Sequence, residues 1–333
     1  MRISTIVTVY NLEKYIEESL NSILAQTRLP DEIIVVDDCS TDNSAAIIKI
    51  FSDKVQYIKM PKNSGVLLAF IRGIEAATGD ILSFLDGDDS WHTTKLEEIE
   101  KAFTEDDNRI LVTHDYECMD GNSNNRPYTD DITYLNTAAI VKKSNGNLYT
   151  MDRLLRNSIL CNKGVWLGSA FCLNKKYLDI AGFKQLMLSM PDAELAYQDH
   201  PVAAFILLEN IDKPVFYIDK ILFRYRLFGN NHSGKSNDVN SALRTIRKSL
   251  ANNMRTKYLV AQHPELTEEN KRQKMGYLYN IFLQELYTKN YFSAIKKYFS
   301  LVFGGWDFRK FIKETKRLLA VIVLGPDKFL GMK

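Results

Sequence analysis

The sequence predicts an α/β fold: a single, mainly parallel sheet flanked by helices, with a helical C-terminal region after it. Three observations predict it. Apolar, β-branched runs alternate with stretches of helically spaced apolar residues along the first hundred residues, the pattern of strand–helix units. Runs such as Ile3–Val9 and Glu32–Asp37 are rich in β-branched apolar residues without a polar face, as strands covered on both faces are. After about Lys235 strand signals largely stop, and aromatic-rich amphipathic segments take over.

In chain order, Ile3–Val9 is the first strand, and Leu12–Gln26 follows as a helix with Leu12, Ile16, Leu20, Ile23 and Leu24 at helical spacing. Glu32–Asp37 and Val55–Met60 are strands, each followed or preceded by a helix, Thr41–Phe51 and Val66–Ala77. Asp80–Leu85 is a fourth strand ending in Asp86, and Thr94–Phe103 is the helix beyond it. From about 105 to 165 the pattern loosens, and Asn122–Asn125 marks a polar surface loop. Trp166–Leu173 is expected as a strand, Pro201–Leu208 as a helix beginning near Asp199, and Val215–Ile218 and Ile221–Leu227 as two short strands. This divides the chain into a domain over residues 1–234 and a helical region over 235–333, with no fixed-period repeat.

Composition narrows the class. With 333 residues, 45% hydrophobic, 25% charged, 16 Gly and 8 Pro, the chain is neither disordered nor fibrous. Cys39, Cys118, Cys161 and Cys172 are widely spaced and form no C-x-x-C or Cys/His cluster, which argues against a disulfide framework or a structural zinc. The net charge of +2 hides an asymmetry: residues 1–234 hold 24 Lys+Arg against 33 Asp+Glu, and residues 235–333 hold 19 against 8. A basic C-terminal third suits an anionic partner. No export signal is legible, and the longest apolar stretch near the end, Leu318–Gly325, is far below the ~20 residues a spanning helix needs. The expectation is a cytoplasmic protein.

In a parallel sheet ligands bind beyond the carboxyl ends of the strands. There the first strand ends in Thr8-Val9-Tyr10-Asn11, the second in Asp37-Asp38-Cys39-Ser40-Thr41-Asp42, and the fourth in Asp86-Gly87-Asp88-Asp89. At least four carboxylates thus converge on one crevice. Uncompensated, they repel and raise one another's pKa. A divalent cation resolves this, because Mg²⁺ and Mn²⁺ prefer hard oxygen ligands and Mg²⁺ is commonly held by one or two carboxylates plus substrate phosphates. The competing reading is that Asp37, Asp38 and Asp42 merely cap the next helix. Caps alone leave a second acidic cluster behind another buried strand unexplained.

The segments I-V-T-V-Y-N, V-V-D-D-C-S-T-D-N-S and A-T-G-D-I-L-S-F-L-D-G-D-D, in this order and spacing, resemble the family 2 glycosyltransferases over roughly residues 1–230. The resemblance implies a glycosyltransferase A-type fold, a nucleotide-sugar donor, a divalent metal (Mg²⁺ or Mn²⁺) and inversion at the anomeric centre. It is of the kind found in enzymes of bacterial surface polysaccharide. It implies that Tyr10, with Thr8 and Asn11 beside it, packs on the nucleobase, and that Asp38, with Asp37, accepts from the base N–H. Asp86-Gly87-Asp88 would be the D-x-D element, with Asp88 and Asp86 on the metal and Asp86 also toward the ribose. Asp89 would orient the acceptor or the loop.

An inverting transfer needs a base on the acceptor hydroxyl. The resemblance places it at an acidic pair opening a helix after a G-F segment. Here Ala181-Gly182-Phe183 precedes Gln198-Asp199-His200-Pro201, so Asp199 is the candidate base, with Gln198 where the first acid usually stands. Asp192 and Glu194 are rivals, and Asp199 could also serve as a helix cap. The family's strand ending Y-R-x-H is here Tyr225-Arg226-Leu227-Phe228, so Phe228 departs from the pattern. Arg226 and His232 remain candidates for the diphosphate, Arg72 for the nucleotide and Trp166 for the acceptor wall.

Two other classes compete. Gly229–Ser236 fits the phosphate-loop pattern G-x-x-x-x-G-K-S, which would make an ATPase or kinase. The residues after it read as helices, however, and supply no further parallel strands. A non-catalytic sugar- or nucleotide-binding module leaves the two acidic elements and Asp199 without a role. The last region pairs aromatics (Tyr287, Phe292, Phe299, Phe303 among others) with Lys296, Lys297, Arg309, Lys310 and Lys313. This composition suits peripheral membrane contact through residues 287–333, near a glycan or lipid-linked acceptor. Packing on the catalytic domain would bury the same aromatics. No nucleic-acid module accompanies the charge.

Overall fold

The computed structural model describes residues 1–126, 156–157, 160, 167–227, 238–305 and 308–331. The chain separates into two compact units, Met1–Phe228 and Gly229–Lys333.

In the first unit, strands β1 (Ile3–Val9), β2 (Glu32–Asp37), β3 (Gln56–Lys59) and β4 (Ile81–Asp86) alternate with helices α1 (Ile16–Leu24), α2 (Ser44–Ile50) and α3 (Val66–Ala76). All seven residues of β1 are buried, which is why its sequence shows no alternation. Beyond these come β5 (Ser90–Trp91), α4 (Lys95–Glu105), β6 (Leu111–Asp120), β7 (Asn125–Arg126), β8 (Cys172–Asn174), α5 (Ile180–Ser189), α6 (Asp199–Glu209) and β9 (Val215–Leu227). They form one sheet in the order β3-β2-β1-β4-β8-β6-β9-β5, with β7 beside β6. The pairs β1–β2, β1–β4, β2–β3 and β6–β9 are parallel, while β8, β5 and β7 run against their neighbours. The sheet is mixed but mainly parallel.

Register fixes the functional edge. Thr8 lies opposite both Val36 and Asp86, and Val9 opposite Asp37, so the ends of β1, β2 and β4 fall level. One face of the sheet packs Val7, Leu20, Ile23, Val35, Phe103 and Phe223 into a common core.

Several boundaries differ from those expected. The first helix starts at Ile16, because Leu12–Tyr15 form a turn in which Leu12 C=O accepts from Tyr15 N–H and Ile16 N–H (2.9 and 3.0 Å). The expected strand over Trp166–Leu173 is, in its described part, a 3₁₀ turn (Gly168–Ala170) leading into β8. The two short strands near 215–227 are one strand, β9, whose pairing with β6 is irregular between Ile218 and Phe223, where Asp219 and Lys220 interrupt the apolar run. Strand β6 was hidden in the sequence by His114, Asp115, Glu117 and Asp120 among its apolar residues.

The second unit is helical throughout its described residues: α7 (Val239–Ala261), α8 (Thr267–Tyr287), α9 (Tyr291–Phe303), α10 (Phe308–Leu324) and α11 (Pro326–Gly331). Asp238 caps α7, its Oδ1 accepting from Ser241 N–H at 2.9 Å. Phe282, Leu286, Ala294, Tyr298, Leu301 and Val321 make its own core. Among the described residues no helix is long and apolar enough to cross a membrane.

Candidate active site

The turn after β2 is stitched to the turn after β1. Asn11 adopts a left-handed backbone (φ +53°), and its Oδ1 accepts from Thr41 N–H (2.8 Å), while its own N–H donates to Ser40 Oγ (3.0 Å). Asp42 Oδ2 accepts from Glu13 N–H at 3.0 Å. Cys39, at the tip, is also left-handed (φ +64°), a conformation that costs a non-glycine residue energy and that clusters at functional turns. Tyr10 emerges from this frame 43% exposed, a free ring face at the strand-end edge.

Asp37 and Asp38 are both buried, and both serve the fold. Asp37 Oδ1 accepts from Ser40 N–H (2.8 Å) and its Oδ2 from the Tyr57 hydroxyl (2.7 Å). Asp38 accepts from Ser64 N–H (2.7 Å) and Gly65 N–H (2.8 Å) at the start of α3. Burial, then the neighbouring charge of Asp37, raises the Asp38 pKa, and these N–H bonds oppose the rise. Gly65 is obligatory there: its φ is +90°, and a Cβ would lie 2.0 Å from the Glu194 carbonyl oxygen.

The turn after β4 is different. Asp86 Oδ1 accepts from Thr8 Oγ1 (3.2 Å) and Gln198 Nε2 (2.9 Å), and among the described residues its Oδ2 has no hydrogen-bond donor. Asp88 receives none from another described side chain. Both acids keep part of their surface exposed. Burial raises Asp86 to about 6. Burial and then the charge of Asp86 raise Asp88 to about 7, against a lowering by Arg226. These are under-neutralised carboxylates with open oxygens, a donor set that suits a hard divalent cation. No group of three His, Cys, Asp or Glu side chains that could hold a metal exists among the described residues, so a cation here would take its remaining ligands from substrate or water.

Asp89 faces inward. Its Oδ1 accepts from Arg226 N–H (2.9 Å) and its Oδ2 from Ser169 Oγ (2.7 Å), bonds that tie the turn after β4 to β9 and to the turn before β8. Ser169 is a hub: its Oγ also accepts from Asp86 N–H (3.0 Å), and its C=O accepts from the ammonium of Lys95 (2.6 Å). Lys95 is fully buried over the Trp91 ring, and burial lowers its pKa to about 8.

Asp199 opens α6 across from this loop. Its Oδ1 accepts from His200 N–H at 2.8 Å, a bond to the next residue, and the helix has no side-chain N-cap. Burial, then the charge of Asp86, raises its pKa to about 7 against the His200 bond. Gly168 sits where the pieces meet: a Cβ there would lie 3.3 Å from Gln198 Nε2 and 3.8 Å from both Asp86 Oδ2 and Asp199 Cβ. Gln198 is thereby explained, because its amide donates to Asp86 where a second acid would repel it. Of the rivals, Asp192 lies left-handed (φ +56°) before a 3₁₀ turn, and Glu194 is exposed with its carbonyl against Gly65.

The expected phosphate role of Arg226 needs correction. Its guanidinium is fully buried and donates to protein oxygens: Asp88 C=O (2.6 Å), Ser123 Oγ (2.8 Å) and Glu18 Oε2 (2.6 Å), while stacking on Tyr15. It is a strut behind the D-x-D turn. Arg72 stands on the exposed face of α3, about 9 Å along the helix from its first residue. Trp166, His232 and the Gly229–Ser236 motif lie outside the described residues. Lys95 and Ser169 are site-supporting residues that sequence reasoning missed. The only signal for Lys95 was a lysine at the first position of a helix otherwise buried on that side.

The fold and this edge define a glycosyltransferase A-type protein, and comparison with known proteins agrees. Residues 4–165 match the model of glycosyl transferase family 2, and the chain carries a domain of that family. It is 41% identical over 126 residues to an uncharacterized glycosyltransferase of Nostoc sp., covering 37% of this chain and 38% of that one. It is 37% identical over 98 residues to TuaG of Bacillus subtilis, a glycosyltransferase named for teichuronic acid biosynthesis, covering 28% and 39%. The chain thus spans about two fifths of the length of these relatives. Among solved structures it resembles residues 1–349 of S. aureus TarS in complex with UDP-GlcNAc (TM-score 0.51, 17% identity, 85% of this chain and 80% of that one). It also resembles a mannosyltransferase of Pyrobaculum calidifontis in complex with GDP-Man and Mn²⁺ (TM-score 0.53, 14% identity, 99% and 85%).

Proposed function

We propose that this chain is an inverting glycosyltransferase. It moves a sugar from a nucleoside-diphosphate sugar to a hydroxyl of a glycan or lipid-linked acceptor, in the assembly of a cell-surface polymer. A UDP-sugar is the first donor to test, with GDP- and dTDP-sugars next. One observation carries the reading: Asp86, whose charge also bears on Asp88, meets Asp199 around Gly168 at the strand-end edge, and all three acids have raised pKa values. The likeness to TuaG supports the polymer, and the A-type fold supports the donor class.

In this reading residues 1–234 are catalytic and residues 235–333 an appendage that keeps the enzyme at the inner face of a membrane. Tyr10 offers its ring to the nucleobase, and Asp38 uses its remaining lone pairs on the base N–H. Asp88 and Asp86 would hold a divalent cation, Mg²⁺ or Mn²⁺, which when bound supplies Lewis-acid neutralisation of the departing diphosphate. Thr8 and Gln198 fix the Asp86 carboxylate through Oδ1, which aims Oδ2 into the site. Asp199 takes the proton from the acceptor hydroxyl at its carboxylate, on the side opposite the leaving group. A pKa pushed toward neutrality makes it a stronger base than a solvated aspartate and leaves it mostly ionised only above about pH 7.

Calorimetric titration with UDP, GDP, dTDP and ATP, each with and without Mn²⁺, tests this on the wild type and Asp88→Asn. The expected result is Mn²⁺-dependent binding of one nucleoside diphosphate that Asp88→Asn abolishes. ATP binding that survives Asp88→Asn and disappears in Lys235→Ala would replace this reading with the phosphate-loop one.

A further inference from the structure

Helix α9 is apolar on two opposite faces, and the core of its unit accounts for only one. Ala294, Tyr298 and Leu301 are buried in that core. On the other side Phe292 and Phe303 are each 85% exposed, Phe299 51% and Ile295 37%. At 100° per residue these four fall within an arc of roughly 80°, centred about opposite to the buried three. Phe299 and Phe303 stack on each other at 6.4 Å between ring centroids, so the stripe is continuous. Isolated exposed apolar residues are ordinary, but three phenylalanines in line along one helix are an interaction surface.

The charge on this helix and the next points to the partner. Lys296 is exposed beside the stripe, and Arg309, Lys313 and Lys316 are exposed along α10, where Lys310 lies over the Tyr279 ring at 5.0 Å. The one acid among the described residues of α9 and α10, Glu314, is buried and paired with Arg317 at 3.0 Å, so it offsets none of them. A neutral apolar partner leaves these cations unanswered. An anionic bilayer answers both features, with acyl chains for the rings and headgroups for the lysines and arginines.

We infer that the Phe292–Ile295–Phe299–Phe303 face of α9 inserts into the interface of an anionic lipid membrane, with Lys296 and the α10 cations on the headgroups. This deepens the membrane reading of residues 287–333 by naming the face that binds, and it is independent of the donor chemistry.

The test is co-sedimentation of the full chain with phosphatidylglycerol/phosphatidylcholine vesicles and with phosphatidylcholine alone, at low and about 0.5 M salt. The comparison is with Phe292→Ser/Phe299→Ser/Phe303→Ser and, as a milder variant, Phe303→Ser alone. Far-UV circular dichroism and nucleotide titration check the fold of each. The wild type is expected to bind the anionic vesicles, less so in high salt, and the triple variant to bind roughly 100-fold more weakly with its fold and nucleotide binding intact. Phe303→Ser alone is expected to weaken binding by roughly 5-fold. Unchanged binding in both variants would overturn the assigned face while leaving a membrane role for residues 287–333. No vesicle binding by the wild type would overturn both. A wild-type dimer in sedimentation velocity that the triple variant dissociates, without vesicle binding, would assign the stripe to a second copy of the chain instead.

Discussion

The turns after β2 and β4 place aspartates at the same edge of one sheet, and they treat the charge in opposite ways. Asp37 and Asp38 divide four oxygens among Ser40 N–H, Tyr57 OH, Ser64 N–H and Gly65 N–H. Asp86 and Asp88 are left with open oxygens, and burial with mutual repulsion holds them near neutrality in pKa. The first turn is a frame that happens to be acidic. The second stores unfavourable electrostatics that a cation and a diphosphate would relieve. Membership in an acidic motif therefore says less about chemistry than the number of lone pairs the protein leaves unanswered.

The largest expected effect separates base from frame. Asp199→Asn should lower kcat by roughly 10³-fold while leaving donor affinity within about threefold, measured by steady-state transfer and by titration. The sign of the pH dependence follows from the raised pKa. The carboxylate must be ionised to accept a proton, so kcat/KM should rise with pH through a midpoint near 7 and level off above it. A profile that keeps the same acid limb in Asp199→Asn would assign the limb, and the base, elsewhere.

Next in size is the strut. Arg226→Met keeps most of the side-chain volume but removes the donors to Glu18, Ser123 and the Asp88 carbonyl, at a cost on the order of 3 kcal/mol. Thermal unfolding of the first unit should fall by roughly 10 °C, with Glu18→Gln in the Arg226→Met background costing little more. Additive losses would mean that the two do not act as a pair.

The smallest effect is the sharpest test of the contrast. Asp37→Asn retains an acceptor for Ser40 N–H and turns its amide to the Tyr57 oxygen, so it should cost about 1 kcal/mol and leave nucleotide affinity within a factor of about three. A loss of nucleotide binding as deep as in Asp88→Asn would show that Asp37 touches the donor and that the two turns are alike.

Much of this was legible in advance. The parallel strands β1, β2 and β4 declare themselves because burial on both faces leaves only apolar residues and small hydroxyls such as Ser4, Thr5 and Ser83, and the acids at their ends stand out against that background. Asp199 was legible because a charged residue opening an apolar helix is conspicuous. Arg226 was misread because its neighbours in space, Glu18, Asp88 and Ser123, are far from it in sequence, and an arginine buried as a strut looks the same in one dimension as one facing a phosphate. Lys95 and Ser169 were missed for the same reason, since their partners come from β4, β5 and the turn before β8. Strand β6 escaped notice because the half-buried positions it offers to Asp115 and Glu117 break the apolar run that marks a fully covered strand.

The hydrogen bond from Arg226 N–H to Asp89 joins residues 137 positions apart. Closing so long a loop carries somewhat more entropic cost than pairing β1 with β2 or β4, whose partners lie 28 and 78 positions apart, and long-range pairings form slowly. A chain still being synthesised holds every residue of the D-x-D turn long before it holds the arginine that fixes that turn. Order at the acidic loop therefore arrives last during biosynthesis, after the frame that surrounds it has folded.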